Sequence, residues 1–149
     1  MSDRPTGILT QVVSRLLLAP IIVIAIAVLV KGYADVGDGF SGGVIAALGI
    51  LLQYLAFGRA ETERMLPIRF IPLLAFVGLL LAIAVTALPL LQGDALLTHF
   101  PRPGGDVIEL GTLELITAVA FDASIFLLVL GAAVGIIHAI AVVAEGGKR

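Results

Sequence analysis

Leu16-Leu-Leu-Ala-Pro-Ile-Ile-Val-Ile-Ala-Ile-Ala-Val-Leu-Val30 runs without a charge and passes at once into Lys31-Gly-Tyr-Ala-Asp-Val-Gly-Asp-Gly-Phe-Ser-Gly-Gly43. With its flanks the first run gives a span over about residues 12–31, and roughly 20 apolar residues suffice for a helix to cross a hydrocarbon core of about 30 Å. The second stretch, dense in glycine, places Lys31, Asp35 and Asp38 at the edge of that core. Charges there are costly unless they meet water, one another or a partner protein. Glycine admits backbone conformations closed to other residues and lets neighbouring backbones approach, more than an ordinary hairpin turn requires.

Composition generalises the reading. Of 149 residues, 60% are hydrophobic and 13% charged, with no cysteine or tryptophan. Ordinary soluble domains carry about 25% charged residues, so this chain cannot cover a water-facing surface and is expected to be an integral membrane protein. The missing cysteine removes disulfides, thiolate catalysis and thiolate metal sites. Two histidines, His99 and His138, are too few for a clustered histidine metal site, so no metal or cofactor is expected. A net charge of −2 supplies no basic stripe for phosphates and argues against nucleic acid as a partner.

Apolar runs place four spans, at about 12–31, 40–58, 70–91 and 112–144. The fold class expected is an all-α integral membrane protein forming one domain over residues 1–149. Arg4, Arg15, Arg59, Arg64, Arg69, Lys148 and Arg149 fall on one side, against Lys31 and Arg102 on the other. The positive-inside rule therefore puts both termini and the 59–69 loop in the cytoplasm. The loop from Gln92 to Gly111 holds Pro101, Pro103, Gly104 and Gly105, which forbid a continuous helix. Pro72 suits a first helical turn, Pro89 helps to end the third span, and Pro20 either kinks the first span or marks where it begins.

Polar and small residues on the spans mark faces that need protein. Gly42, Ala46, Gly49 and Gln53 share one face of the second span, a seam either for another helix of this chain or for a different subunit. On the fourth span Glu114 is expected in the first helical turn, favoured there by the helix dipole. Asp122 would lie two turns deeper, roughly 12 Å along the axis, where an aspartate must face protein or water. Gly131, Gly135 and His138 line the opposite flank. Two flanks wanting neighbours imply that other subunits pack outside the four helices. His138 is read as an interfacial anchor, with a proton relay as the alternative.

Catalytic patterns are missing: Asp122 and Asp38 make no protease-like dyad, and the glycine-rich turn lacks the Gly-Lys-Ser/Thr ending of a phosphate loop. An enzyme is not expected. Gly32-Tyr-Ala-Asp-Val-Gly-Asp-Gly-Phe-Ser-Gly-Gly43, then Tyr54-Leu-Ala-Phe-Gly58, then Leu113-Glu-Leu-Ile-Thr-Ala118 with Phe121-Asp122, resembles the B-type component of the Mrp-type multisubunit Na+/H+ antiporter, the MnhB family, over essentially the whole chain. The family's turn carries histidine, proline and glycine where this chain has Tyr33, Val36 and Asp38, so a proton-relay role for that histidine does not transfer.

The resemblance implies a small, non-enzymatic, multi-pass subunit of the cell membrane. It would pack among the other small components (C, E, F and G) and beside the large components A and D of a complex that exchanges cytoplasmic Na+ for external H+. Asp122 would line or flank the ion path, with Asp35, Asp38, Glu114 and Lys31 near it. The competing reading is a purely structural role in assembly, in the same complex or in a related membrane-bound hydrogenase-type complex.

Overall fold

The computed structural model describes residues 7–32, 37–91, 93, 108–110, 113–115 and 117–146. Four long helices dominate: α1 (Ile8–Lys31), α2 (Asp38–Met65), α3 (Leu73–Leu91) and α4 (Thr117–Gly146). Each is long and apolar enough to cross a membrane, the third together with the short 3-10 helix Ile68–Phe70 that leads into it. Pro20 lies inside α1 and Pro89 inside the last turn of α3. Pro72 stands just before α3, where its missing N–H is harmless.

Packing does not follow chain order. α2 packs against both α1 and α4, and α4 packs against α2 and α3, while α1 and α4 barely meet. The spatial order is therefore α1, α2, α4, α3. The outer helices leave large apolar side chains uncovered, Leu16, Val23 and Ile24 on α1 and Phe76, Leu80 and Ile83 on α3. Such a surface is stable only against acyl chains or other apolar helices.

Bare backbone brings the helices together. A methyl group at Gly42 would stand 2.8 Å from the Ala25 carbonyl oxygen, and one at Gly49 would stand 2.7 Å from Ile21. At Gly39 it would overlap the Asp122 carbonyl, at Gly43 it would press on the Phe126 carbonyl, and at Gly131 it would overlap the Ala75 amide. Close approach lets dispersion hold helices where lipid removes the hydrophobic drive. Below these contacts Ala47, Ile50, Tyr54, Ile68 and Val134 form a buried cluster between α2, α4 and the entry to α3.

Three expectations are corrected. The four-helix architecture is as expected, but the stretch before α4 is not helical: Ile108–Leu110 (β1) and Leu113–Leu115 (β2) form an antiparallel ribbon, with Glu109 opposite Glu114. Glu114 is accordingly in a strand and not in the first turn of a helix. β-branched and leucine residues alternating with glutamate read as a period of two, which the span estimate merged with the apolar run behind it. α4 starts at Thr117, so Asp122 lies about 7–8 Å from its beginning, nearer the edge than expected. Both flanks of α4 are also covered from within the chain, the Asp122 side by α2 and the Gly131 side by α3. The need for outside subunits does not follow from those flanks.

Helix α2 overruns its expected end, but it breaks there. Gly58 adopts φ 76° and ψ 175°, a conformation essentially confined to glycine, and a separate helical segment continues to Met65.

Candidate functional site

At the Lys31 end of the bundle α1 stops and α2 starts, with α4 packed against the far side of α2. Gly37, with φ 121°, is the residue before α2 and no side chain of its own caps that helix. The cap comes from across the bundle: the Gly37 N–H donates to Asp122 Oδ2 at 3.1 Å. Asp122 is 5% exposed, and a carboxylate facing the amino end of a helix gains from both the donor and the dipole. That local field is how an aspartate within a membrane span avoids the penalty of an unpaired charge.

Two further charged groups stand beside it. Lys31 Nζ lies 3.8 Å from Asp38 Oδ2, an ion pair whose lysine is mostly exposed. Among the described residues Asp38 Oδ2 has no hydrogen-bond partner although the atom is buried. Gly32 joins the two carboxylates, since a methyl group there would stand 3.0 Å from Asp122 Oδ2 and 3.1 Å from Asp38 Cβ. Asp122, Asp38 and Lys31 are thus brought together around a glycine. Asp35 lies outside the described residues, and Glu114, on β2, is described only as a strand position.

The glycines of the expected packing faces lie at close approaches within the chain. Gly42, Ala46, Gly49 and Gln53 are all buried, Gly42 and Gly49 against α1. Gln53 Nε2 donates to the Ser14 carbonyl at 2.8 Å, while Gln53 Oε1 is a buried acceptor without a partner among the described residues. Gly131 meets the start of α3 and Gly135 meets Pro72 at van der Waals distance. The sequence reading missed a second small-residue face of α2, Gly39, Gly43 and Ala47, buried on the side facing α4. Its signal was present in the spacing of four residues.

At the Arg59 end a second polar group forms. Tyr54 Oη lies 3.3 Å from His138 Nδ1, and the same nitrogen lies 3.0 Å from Glu63 Oε1. Arg59 Nε donates to Glu63 Oε1 at 2.7 Å and its NH1 to Glu145 Oε2 at 3.1 Å. Of these only His138 was expected as a site residue, Tyr54 and Arg59 having been read as part of a motif and of the charge bias; the Arg59–Glu63 spacing of four was the legible hint. Among the described residues no group of three or more acidic, histidine or cysteine side chains is placed to hold a metal ion.

Residues 9–135 match the family model described as a domain related to the MnhB subunit of Na+/H+ antiporters. The chain is 38% identical over 133 residues to the Na+/H+ antiporter B subunit of Alkalihalophilus pseudofirmus, covering 89% of this chain and 88% of that one. It is 32% identical over 145 residues to the protein of the same name from Bacillus subtilis, with 94% and 97% covered. It is also 32% identical over 114 residues to a probable K+/H+ antiporter A/B subunit of Rhizobium meliloti, covering 74% of this chain and 11% of that longer protein.

Proposed function

The chain belongs to the MnhB-related family of Na+/H+ antiporter subunits, and on that premise we propose that it is a multi-pass plasma-membrane subunit that flanks the cation path of a Na+/H+ antiporter complex and packs beside the large A component. Its relatives are transporter subunits rather than enzymes. Support for the neighbour comes from the Rhizobium relative, whose name joins A and B and of which the matching region is only 11%. Components C, D, E, F and G complete the proposed surroundings. The Arg59 end is assigned to the cytoplasm by the bias of arginine and lysine toward that side.

The observation that supports an ion-path role is the pairing of a buried, anchored carboxylate, Asp122, with Asp38, whose buried Oδ2 lacks a hydrogen-bond partner among the described residues. Fixed by α2, Asp122 provides a stationary negative field. Asp38, 3.8 Å from an exposed lysine, provides a carboxylate that a passing cation can share. Lys31 would swing away as the cation arrives, keeping the local charge near balance.

One specific observation favours the competing structural reading: Asp122 caps α2, which is a sufficient reason for a carboxylate there. Asp122→Asn separates the two. Asparagine keeps an oxygen that accepts the Gly37 N–H but removes the charge. Expected is a complex that assembles as before and loses at least about tenfold in Na+/H+ exchange in everted membrane vesicles, the equivalent of about 1.4 kcal/mol. Unchanged exchange in an intact complex would leave Asp122 a purely structural cap.

A further inference from the structure

The polar group at the Arg59 end is independent of the Asp122 site and no part of the proposed ion path uses it. It has two mechanical parts. The first is the break at Gly58, with φ 76°, which separates the segment carrying Arg59, Thr62 and Glu63 from the rest of α2. The second is the set of contacts that hold this segment against α4, namely Glu63 Oε1 to His138 Nδ1 at 3.0 Å and Arg59 NH1 to Glu145 Oε2 at 3.1 Å.

His138 Nδ1 faces two partners with different demands. A glutamate carboxylate only accepts, so at 3.0 Å it requires a proton on Nδ1. The Tyr54 hydroxyl at 3.3 Å can donate as well as accept, so it suits an unprotonated Nδ1. One nitrogen therefore chooses between a contact to the segment beyond Gly58 and a contact to the fixed part of α2. Tyr54 belongs to the buried cluster and precedes the Gly58 break.

The charged and titratable surroundings complete the case. From α2, Glu63 and Tyr54 touch the imidazole, and Arg59 shares Glu63 Oε1 at 2.7 Å. From α4, Glu145 reaches Arg59. The 3-10 helix and the residue after it bring Ile68 and Ile71 to the neighbouring core, while Arg69 stacks over Phe70, 4.7 Å from the ring centre. Glu63 is half-buried and so is His138, which lets protons reach the pair from the surface.

We propose that the His138–Glu63 pair is a proton-binding latch: an imidazolium holds the segment after Gly58 on α4, and loss of its Nδ1 proton, leaving the Nε2–H tautomer whose Nδ1 accepts from Tyr54, loosens the segment about the Gly58 break. The ligand is the proton itself. Charge-assisted hydrogen bonds are roughly twice as strong as neutral ones, so deprotonation weakens the contact to Glu63 while Tyr54 offers the neutral ring an alternative. The sign is fixed: the latch is closed at lower pH and opens as pH rises.

Hydrogen–deuterium exchange of peptides spanning residues 59–66, measured on the purified complex, tests this. After correction for intrinsic chemical exchange, these amides should exchange at least about fivefold faster at about pH 8.5 than at about pH 6. H138Q and E63Q should each abolish that difference, and E145Q should retain it. E63Q removes the charge assistance from the other side of the same contact, so a failure of H138Q to assemble does not end the test. Equal corrected rates at the two pH values in the wild-type complex, or a wild-type pH difference surviving in both H138Q and E63Q, would overturn the latch.

Discussion

At the Lys31 end α4 meets α2 through bare backbone and one fixed carboxylate, Gly39 against the Asp122 carbonyl and Gly37 N–H on Asp122 Oδ2, whereas at the Arg59 end the same two helices are joined by long side chains, Tyr54, Arg59, Glu63, His138 and Glu145. The first junction has no slack, because a backbone atom cannot rotate out of the way of an added group. The second is a set of side-chain hydrogen bonds beside a glycine break, and rotation about side-chain bonds gives such contacts room to adjust. A transporter component gains from both: a rigid point to keep charges in register, and a compliant one near the surface.

Gly39→Val and Gly131→Val should have the largest effect. Each puts a branched side chain where α4 or α3 backbone already lies, at a cost of at least about 3 kcal/mol and with loss of the assembled complex on native gels. A normal complex from Gly39→Val would mean that the Lys31 end is as adjustable as the other. Asp122→Ala should come next, leaving the Gly37 N–H without its acceptor and lowering thermal stability by about 1–3 kcal/mol. Asp122→Asn should spare most of that stability.

Gly58→Ala probes the compliant end. The space around it is open, so the penalty is conformational, roughly 1–2 kcal/mol, and it should appear as altered protection confined to residues 59–65. An effect spread over the whole bundle would contradict the separation of that segment. Gln53→Leu should be smaller still, within about 1 kcal/mol by thermal melt. Intramembrane side-chain hydrogen bonds average only about 0.6 kcal/mol, and the Ser14 carbonyl it contacts lies within a helix. Glu145→Gln should be silent in stability, since its pair with Arg59 is solvent-screened.

Much of this was legible in the residues. Charge-free runs marked four spans because the bilayer imposes a length, and Gly58, where the second run was expected to end, is where α2 breaks its helical conformation. The seam of Gly42, Ala46, Gly49 and Gln53 was visible for the same reason that it works, a spacing that returns to one face of a helix. Glu114 was misread because Leu113–Leu115 adjoins the long apolar run of α4, and an apolar boundary cannot distinguish a short strand from a first helical turn. The Gly131 flank was legible as wanting a neighbour but not as already having one, since α3 covers it.

Composition and periodicity by themselves determined that the chain lives in a membrane, how many times it can cross, and which helix faces are too bare or too polar for lipid. They did so because those properties depend on transfer energy and on the fixed pitch of a helix. Only the tertiary structure decided which face meets which. The order α1, α2, α4, α3, the cap that Asp122 places on α2 from 85 residues away, and the choice of Glu63 and Tyr54 as partners of His138 are all long-range pairings. Sequence spacing carries no record of them, because chain ends that are distant in sequence are brought together by packing alone.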